Sequence, residues 1–142
     1  MKIQRNGSAH WQGGLKDGKG LIMTASGALS NYPYGFASRF EGVAGSNPEE
    51  LLAAAHAACF TMALTLALAE AGLTAETLDT KAVVTLEQGE VGFFIPKVEL
   101  TLRANIPTAD DATFQAVAAA AKANCPLSKV LNAEIILDAE LI

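Results

Sequence analysis

The sequence predicts an α+β fold with elements in the order βββ–α–ββ–α–β, rather than a parallel α/β wrap. Three observations carry that prediction. Glycine-rich turns break the first third into short segments, a capped and almost uncharged helix begins near Asn47, and apolar and polar residues alternate from Val98 to Arg103.

Gly13-Gly14 and Asp17-Gly18-Lys19-Gly20 have turn chemistry, and Leu21-Ile22-Met23-Thr24 has strand character. Asn31-Tyr32-Pro33-Tyr34-Gly35 reads as a further turn. Phe36 to Val43 then reads as a strand with Phe36, Ser38, Phe40 and Gly42 on one face. The helix that follows has Asn47 as N-cap, Pro48 at its first position and Glu50 completing an Asn-x-x-Glu capping box. Glu49 and Glu50 complement its dipole, and it should run to about Ala71, with Gly72 as the C′ residue. Thr80 to Glu87 and Phe93 to Ile106 read as strands joined through Gln88-Gly89-Glu90, with Val98, Leu100 and Leu102 on the buried face. Thr108 is the expected cap of a second helix that holds Asp110 and Asp111 in its first turn and runs to about Ala123. Cys125-Pro126 breaks it and starts a short turn, Leu127 to Leu131, before a last strand from Glu134 to Leu141.

The 142 residues fit a single domain over 1–142, large enough for a real core. The formal charge of -5 and ten scattered basic residues leave no basic stripe, so a nucleic-acid partner is not expected. Met1 to Ser8 has no apolar signal region, which makes the cytoplasm the expected location and favours reduced cysteines. Leu51 to Ala69 carries no formal charge for nineteen residues, the length of a bilayer span. Its Ala and Thr content, His56, flanking glutamates and missing aromatic belt argue against a membrane. A helix apolar on every face also suits the centre of a soluble protein. One sheet covers only one face of it, so an obligate homodimer with the helices sandwiched between sheets is expected.

The chemistry rests on few residues. Cys59, in Ala54-Ala55-His56-Ala57-Ala58-Cys59-Phe60, has neighbours that suit a packed thiol and do nothing to ionise it. Cys125 precedes Pro126 at a helix start, where unpaired N–H groups would make it the more acidic thiol. Residue chemistry leaves open which sulfur attacks. His56, three residues before Cys59 on one helical face, reads equally as a general base or a packed histidine. A zinc site from His10, His56, Cys59 and Cys125 would follow no familiar ligand spacing, so no metal and no cofactor are expected. Arg39, between Phe36 and Phe40, reads on residue type alone as a solvated strand arginine.

Asn47-Pro48-Glu49-Glu50-Leu51, His56-Ala57-Ala58-Cys59-Phe60 and Cys125-Pro126-Leu127-Ser128-Lys129-Val130-Leu131 together resemble the OsmC/Ohr family of thiol-dependent peroxidases. The likeness extends from Ala9-His10-Trp11 and Tyr34-Gly35-Phe36 to the last strand. His56-Ala57-Ala58-Cys59 and the arginine after Tyr34-Gly35-Phe36 place it nearer the OsmC branch; the glycine-rich hairpin where Ohr members carry their arginine holds Lys16 and Lys19. The resemblance implies an OsmC-like α+β fold, with antiparallel or mixed sheets packed around long central helices in an intertwined homodimer. It implies that Cys59 is the peroxidatic thiol, Cys125 the resolving thiol, and Arg39 and Glu49 their charged partners. It further implies an organic hydroperoxide substrate, a dithiol reductant such as a lipoyl protein, and a setting of osmotic or oxidative stress. Phe36, Phe40 and Phe60 are candidates for apolar walls or for core. The alternative is a non-enzymatic stress-related dimer whose cysteines only pack. Given those roles, Glu49 and Cys59 lie ten residues apart, about 15 Å along a helix. Arg39 therefore cannot easily touch both in one chain, and Glu49 is expected to reach the site of the partner subunit.

Overall fold

The computed structural model describes residues 1–142, which divide into two compact units, Met1–Leu51 and Leu52–Ile142. Its elements confirm an α+β chain.

In Met1–Leu51, strands β1 (Gly7–Gln12), β2 (Lys19–Thr24) and β3 (Tyr32–Tyr34) form an antiparallel sheet in that order. Trp11, Gly20 and Tyr34 share one row across it, and the two rings meet at 5.5 Å. A Cβ on Gly20 would collide with the Tyr34 ring, so the missing side chain is what lets the aromatic lie across β2. Pro33 is tolerated because β3 is an edge strand.

Two expectations fail here. The third strand lies at Tyr32–Tyr34, where a turn was expected, and Phe36–Phe40 is a short helix, α1, instead of a strand. Ser38 is the cause. Its Oγ accepts the Gly35 N–H at 2.9 Å and its hydroxyl donates to the Ser46 carbonyl at 2.8 Å, which ties the turn into a helical geometry. Phe36 and Phe40 then fall one turn apart, with ring centroids at 4.9 Å.

Helix α2 (Pro48–Glu70) begins as expected, with the Glu50 N–H donating to Asn47 Oδ1 at 2.8 Å. It closes through the Leu73 N–H on the Leu68 carbonyl at 2.8 Å, with Gly72 at φ +72°. That left-handed C′ position is the one glycine occupies without Cβ strain.

In Leu52–Ile142, β4 (Thr77–Gly89) and β5 (Gly92–Asn105) form an antiparallel hairpin, and β6 (Glu134–Leu141) joins β5 in parallel. Helices α3 (Asp111–Asn124) and α4 (Pro126–Val130) connect β5 to β6. Asp110, not Thr108, caps α3: its carboxylate accepts the Thr113 N–H at 2.9 Å and the Thr113 hydroxyl at 2.8 Å. A carboxylate that takes two donors and faces the helix dipole outcompetes a hydroxyl two residues earlier.

His56, Phe60, Leu64 and Leu68 recur at four-residue spacing and form the buried stripe of α2. The three apolar members pack into one core with Val98, Leu100 and Leu102 of β5, Phe114, Ala118 and Ala121 of α3, and Cys125. Each large side chain so buried contributes about 1.5–3 kcal/mol. The opposite stripe is bare in this chain: Met62 is 76% exposed and Leu66 63%. By length and composition α2 could cross a membrane; within this chain it buries the one stripe that joins the core.

Candidate active site

Cys59 and Cys125 meet in Leu52–Ile142. Eleven residues into α2, Cys59 is half-buried; Cys125 is fully buried at the α3–α4 junction, where its own N–H donates to the Ala121 carbonyl at 2.9 Å. Their sulfurs lie 3.1 Å apart as free thiols. A disulfide bond of about 2.0 Å requires the sulfurs to close by about 1 Å.

Burial pushes both thiols up, and the outcome differs. For Cys59 burial prevails: the Leu127 N–H opposes it, but Cys125 adds to the rise. For Cys125 burial is outweighed by the Ser128 N–H, the Cys59 thiol, the Ser128 hydroxyl and the Leu127 N–H, so it sits below its ordinary value. The sequence expectation that position favours Cys125 as the more acidic thiol therefore has a structural counterpart. Access favours the other sulfur. A cavity of about 610 Å³ is lined by Cys59 and by Met62, Ala63, Leu66, Ala67 and Pro126, with Glu70 and Asn124 among its polar residues.

His56 is completely buried and its Nε2 lies 2.9 Å from Ser128 Oγ. Burial lowers its pKa, so the ring is neutral, and Nδ1 has no partner. Ser128 lies inside the Cys125-Pro126-Leu127-Ser128-Lys129-Val130-Leu131 motif, but no role was read for it there. Its one legible signal is position, three residues past a cysteine that starts a helix. The cavity lining was legible too, because Met62, Ala63 and Leu66 fall three, four and seven residues after Cys59 on one helical face.

Arg39 and Glu49 belong to Met1–Leu51. Arg39 Nε donates to Glu49 Oε2 at 3.1 Å and Nη2 to Oε1 at 2.6 Å, a two-pronged pair within a single chain. Arg39 is thus oriented by the Glu49 of its own chain and needs none from a partner. Folding Phe36–Phe40 as a helix brings Arg39 to the first turn of its own α2. The guanidinium lies 5.2 Å from the Phe40 ring, and with Trp11, Leu15, Tyr34, Gly35, Phe36, Phe40 and Pro48 it lines a cavity of about 240 Å³. Phe36 and Phe40 thus wall a cavity, whereas Phe60 is core. No three His, Cys, Asp or Glu side chains converge as metal ligands.

Residues 41–140 match the family model described as OsmC-like protein. The chain belongs to the OsmC family. It is 52% identical over 141 residues to peroxiredoxin OsmC of Escherichia coli strain K12, covering 99% of each chain. To the organic hydroperoxide resistance protein OhrB of Bacillus subtilis strain 168 it is 31% identical, over 71% of this chain and 73% of that one. The solved structure of OhrB of Bacillus subtilis superposes with a TM-score of 0.71 at 29% identity, covering 95% of this chain and 98% of that one. The motifs around Cys59 and Cys125 thus lie in an OsmC chain matched along almost its whole length.

Proposed function

We propose that this protein is a cytoplasmic, cysteine-based peroxidase that reduces organic hydroperoxides to alcohols. The observation that carries the reading is the pair of free sulfurs 3.1 Å apart, with the more accessible one, Cys59, on an apolar cavity. The Cys59 thiolate attacks the peroxide oxygen distal to the alkyl group. The O–O bond breaks, the alkoxide takes a proton and leaves as alcohol, and Cys59 becomes a sulfenic acid. Cys125 then attacks the Cys59 sulfur, releasing water and forming the Cys59–Cys125 disulfide. A dithiol returns both cysteines to thiols by exchange, itself becoming a disulfide.

The groups that act on Cys59 in Leu52–Ile142 include no cation, and burial holds its thiol up. An attacking thiolate needs one. We assign that role to Arg39, oriented by Glu49, acting on the Cys59 of the partner subunit. Ten residues of helix between Glu49 and Cys59, about 15 Å, favour an intersubunit arrangement. The exposed Met62 and Leu66 stripe of α2 fits the same intertwined homodimer, in which the two units act as one domain. The apolar linings favour alkyl over purely aqueous peroxides, and a lipoyl dithiol has the right valence as reductant.

The test is cumene hydroperoxide consumption with dithiothreitol. Wild type should turn over and Cys59→Ser should fall to the uncatalysed background. Cys125→Ser should react once and then stall or over-oxidise. Equal turnover in wild type and Cys59→Ser would sink the reading, as would a monomeric mass by light scattering for its intersubunit part.

A further inference from the structure

We propose that the hydrogen bond between His56 and Ser128 is a positioning latch: it holds the turn of chain that carries Cys125 in register against α2, and so sets how readily Cys125 closes a disulfide on Cys59. The inference rests on the reading that these two cysteines cycle through a disulfide. All four residues lie in Leu52–Ile142.

The geometry is a ladder of two rungs. On α2, His56 precedes Cys59 by three residues on one helical face. On the facing segment, Ser128 follows Cys125 by three residues, and the Lys129 N–H on the Cys125 carbonyl at 3.1 Å closes the turn that joins them. The rungs pair in antiparallel order: His56 Nε2 lies 2.9 Å from Ser128 Oγ, and Cys125 Sγ lies 3.1 Å from Cys59 Sγ. A slip of one residue along α2 moves a side chain by about 1.5 Å and turns it by about 100°. Both rungs are therefore made in the same register or lost together. The segment that bears Cys125 has little hold of its own. Helix α4 has five residues, begins at a proline and receives no side-chain cap bond from Cys125. A helix that short does not persist without tertiary partners. Leu127 and Leu131 give it partly buried apolar contacts, which are non-directional and set no register.

A histidine is a costly residue to place in this core. His56 is completely buried on the stripe it shares with Phe60, Leu64 and Leu68, and its Nδ1 has no partner. A neutral imidazole has one N–H and one acceptor nitrogen. A proton on Nδ1 would leave an orphaned buried donor, which is rarer and costlier than an orphaned lone pair. The network therefore assigns the proton to Nε2, which donates to Ser128 Oγ. The orphaned lone pair is a burden that a leucine here would not carry, and such a group calls for an explanation. What the histidine supplies is a directional bond between α2 and α4. Position matters because resolution competes with a second oxidation. In resolution the Cys125 sulfur attacks Cys59 Sγ of the sulfenic acid: an S–S bond forms, the S–O bond breaks, and hydroxide leaves as water with the Cys125 proton. In the competing step the sulfenic sulfur attacks a second hydroperoxide, whose O–O bond breaks to give Cys59 sulfinic acid and an alcohol. The first step depends on two sulfurs closing by about 1 Å in a restricted geometry, and the second does not involve Cys125. The latch acts on the partition between them.

Two readouts test this, and the first uses no peroxide. The protein is equilibrated in glutathione redox buffers, and thiol trapping with mass measurement gives the equilibrium constant for the Cys59–Cys125 disulfide. Ser128→Ala should lower that constant about three- to ten-fold, the equilibrium worth of one hydrogen bond. Ser128→Thr, which keeps the hydroxyl, should stay within about two-fold of wild type. His56→Gln, which presents an N–H near the Nε2 position, should retain more of it than His56→Leu. The second readout is the cumene hydroperoxide concentration at which half of Cys59 becomes sulfinic acid during turnover with dithiothreitol. It should fall by a similar factor in Ser128→Ala and return in Ser128→Thr. Rescue by the hydroxyl separates a latch from a general loosening of α4. Wild-type values in Ser128→Ala, or equal losses in Ser128→Ala and Ser128→Thr, would overturn the proposal. Ser128→Ala alters a half-buried side chain and decides the matter even where a His56 variant does not fold. A protein that behaves as expected in glutathione buffers but ignores organic hydroperoxides would refute the peroxidase reading alone.

Discussion

The two units of this chain are deficient in opposite ways. Met1–Leu51 holds a cation without a nucleophile: Arg39 is clamped by Glu49, faces Phe40 and borders an apolar cavity. In Leu52–Ile142 the groups that act on the nucleophile Cys59 are burial, the Leu127 N–H and Cys125, none of them a cation, and the charged residue lining its cavity is Glu70. On the function proposed above, the cation of one unit serves the thiol of the other across subunits, and the contrast is what that proposal has to explain.

The largest effect should come from removing the cation. Arg39→Ala is expected to lower kcat/KM for cumene hydroperoxide by about 10²–10³-fold, the cost of losing one preorganised group that stabilises developing charge. The pH at which Cys59 reacts should rise as well. Arg39→Lys should recover only part, because an ammonium cannot reproduce the two-pronged bond to Glu49. Wild-type kcat/KM and an unmoved pH profile in Arg39→Ala would dissolve the comparison.

A second contrast runs along α2 itself. Leu64 lies on the stripe packed against β5 and α3, whereas Leu66 is exposed in this chain. Leu64→Ala should cost about 2–5 kcal/mol in urea unfolding, through lost burial plus a cavity. Leu66→Ser should leave the fold of the chain intact but shift light scattering toward the monomer and make the apparent stability concentration-dependent. If Leu66→Ser leaves the mass and its concentration dependence unchanged, the exposed stripe is not the surface that joins subunits.

Where local chemistry dominates, the sequence was readable. Alternation at Val98, Leu100 and Leu102 identified the buried face of β5, and Asn47 with Pro48 identified the start of α2. Five residues are too few for a helical period, so Phe36–Phe40 looked like a strand; its conformation is set by Ser38 reaching Gly35 and Ser46. The same misreading hid the in-chain pair, since Arg39 on a strand gave no reason to expect it beside Glu49 of its own α2. Motif resemblance brought forward Cys59 and Cys125, and the structure sets them 3.1 Å apart. His56 and Ser128 are 72 residues apart, and no local pattern links a helix-interior histidine to a serine in α4.

The smallest expected effect sharpens the account of the thiol-bearing unit. The folded-state pKa of His56 is depressed below its ordinary value of 6.5 by burial. Between that folded value and 6.5 the unfolded chain binds a proton that the folded chain refuses. Stability contributed by neutral His56 is therefore complete above 6.5 and is lost as pH falls through the window down to the folded pKa. The slope from this one group is at most about 1.4 kcal/mol per pH unit. His56→Leu should remove it, while also removing the orphaned Nδ1, so urea midpoints of variant and wild type should diverge as pH is lowered. Parallel midpoints across that window would mean that His56 takes up a proton in the folded state. A charged ring would donate from both nitrogens, its Nε2–H would remain on Ser128, and the orphan at Nδ1 would become a buried N–H. That state is costlier than the neutral one, which is why the divergent outcome is expected.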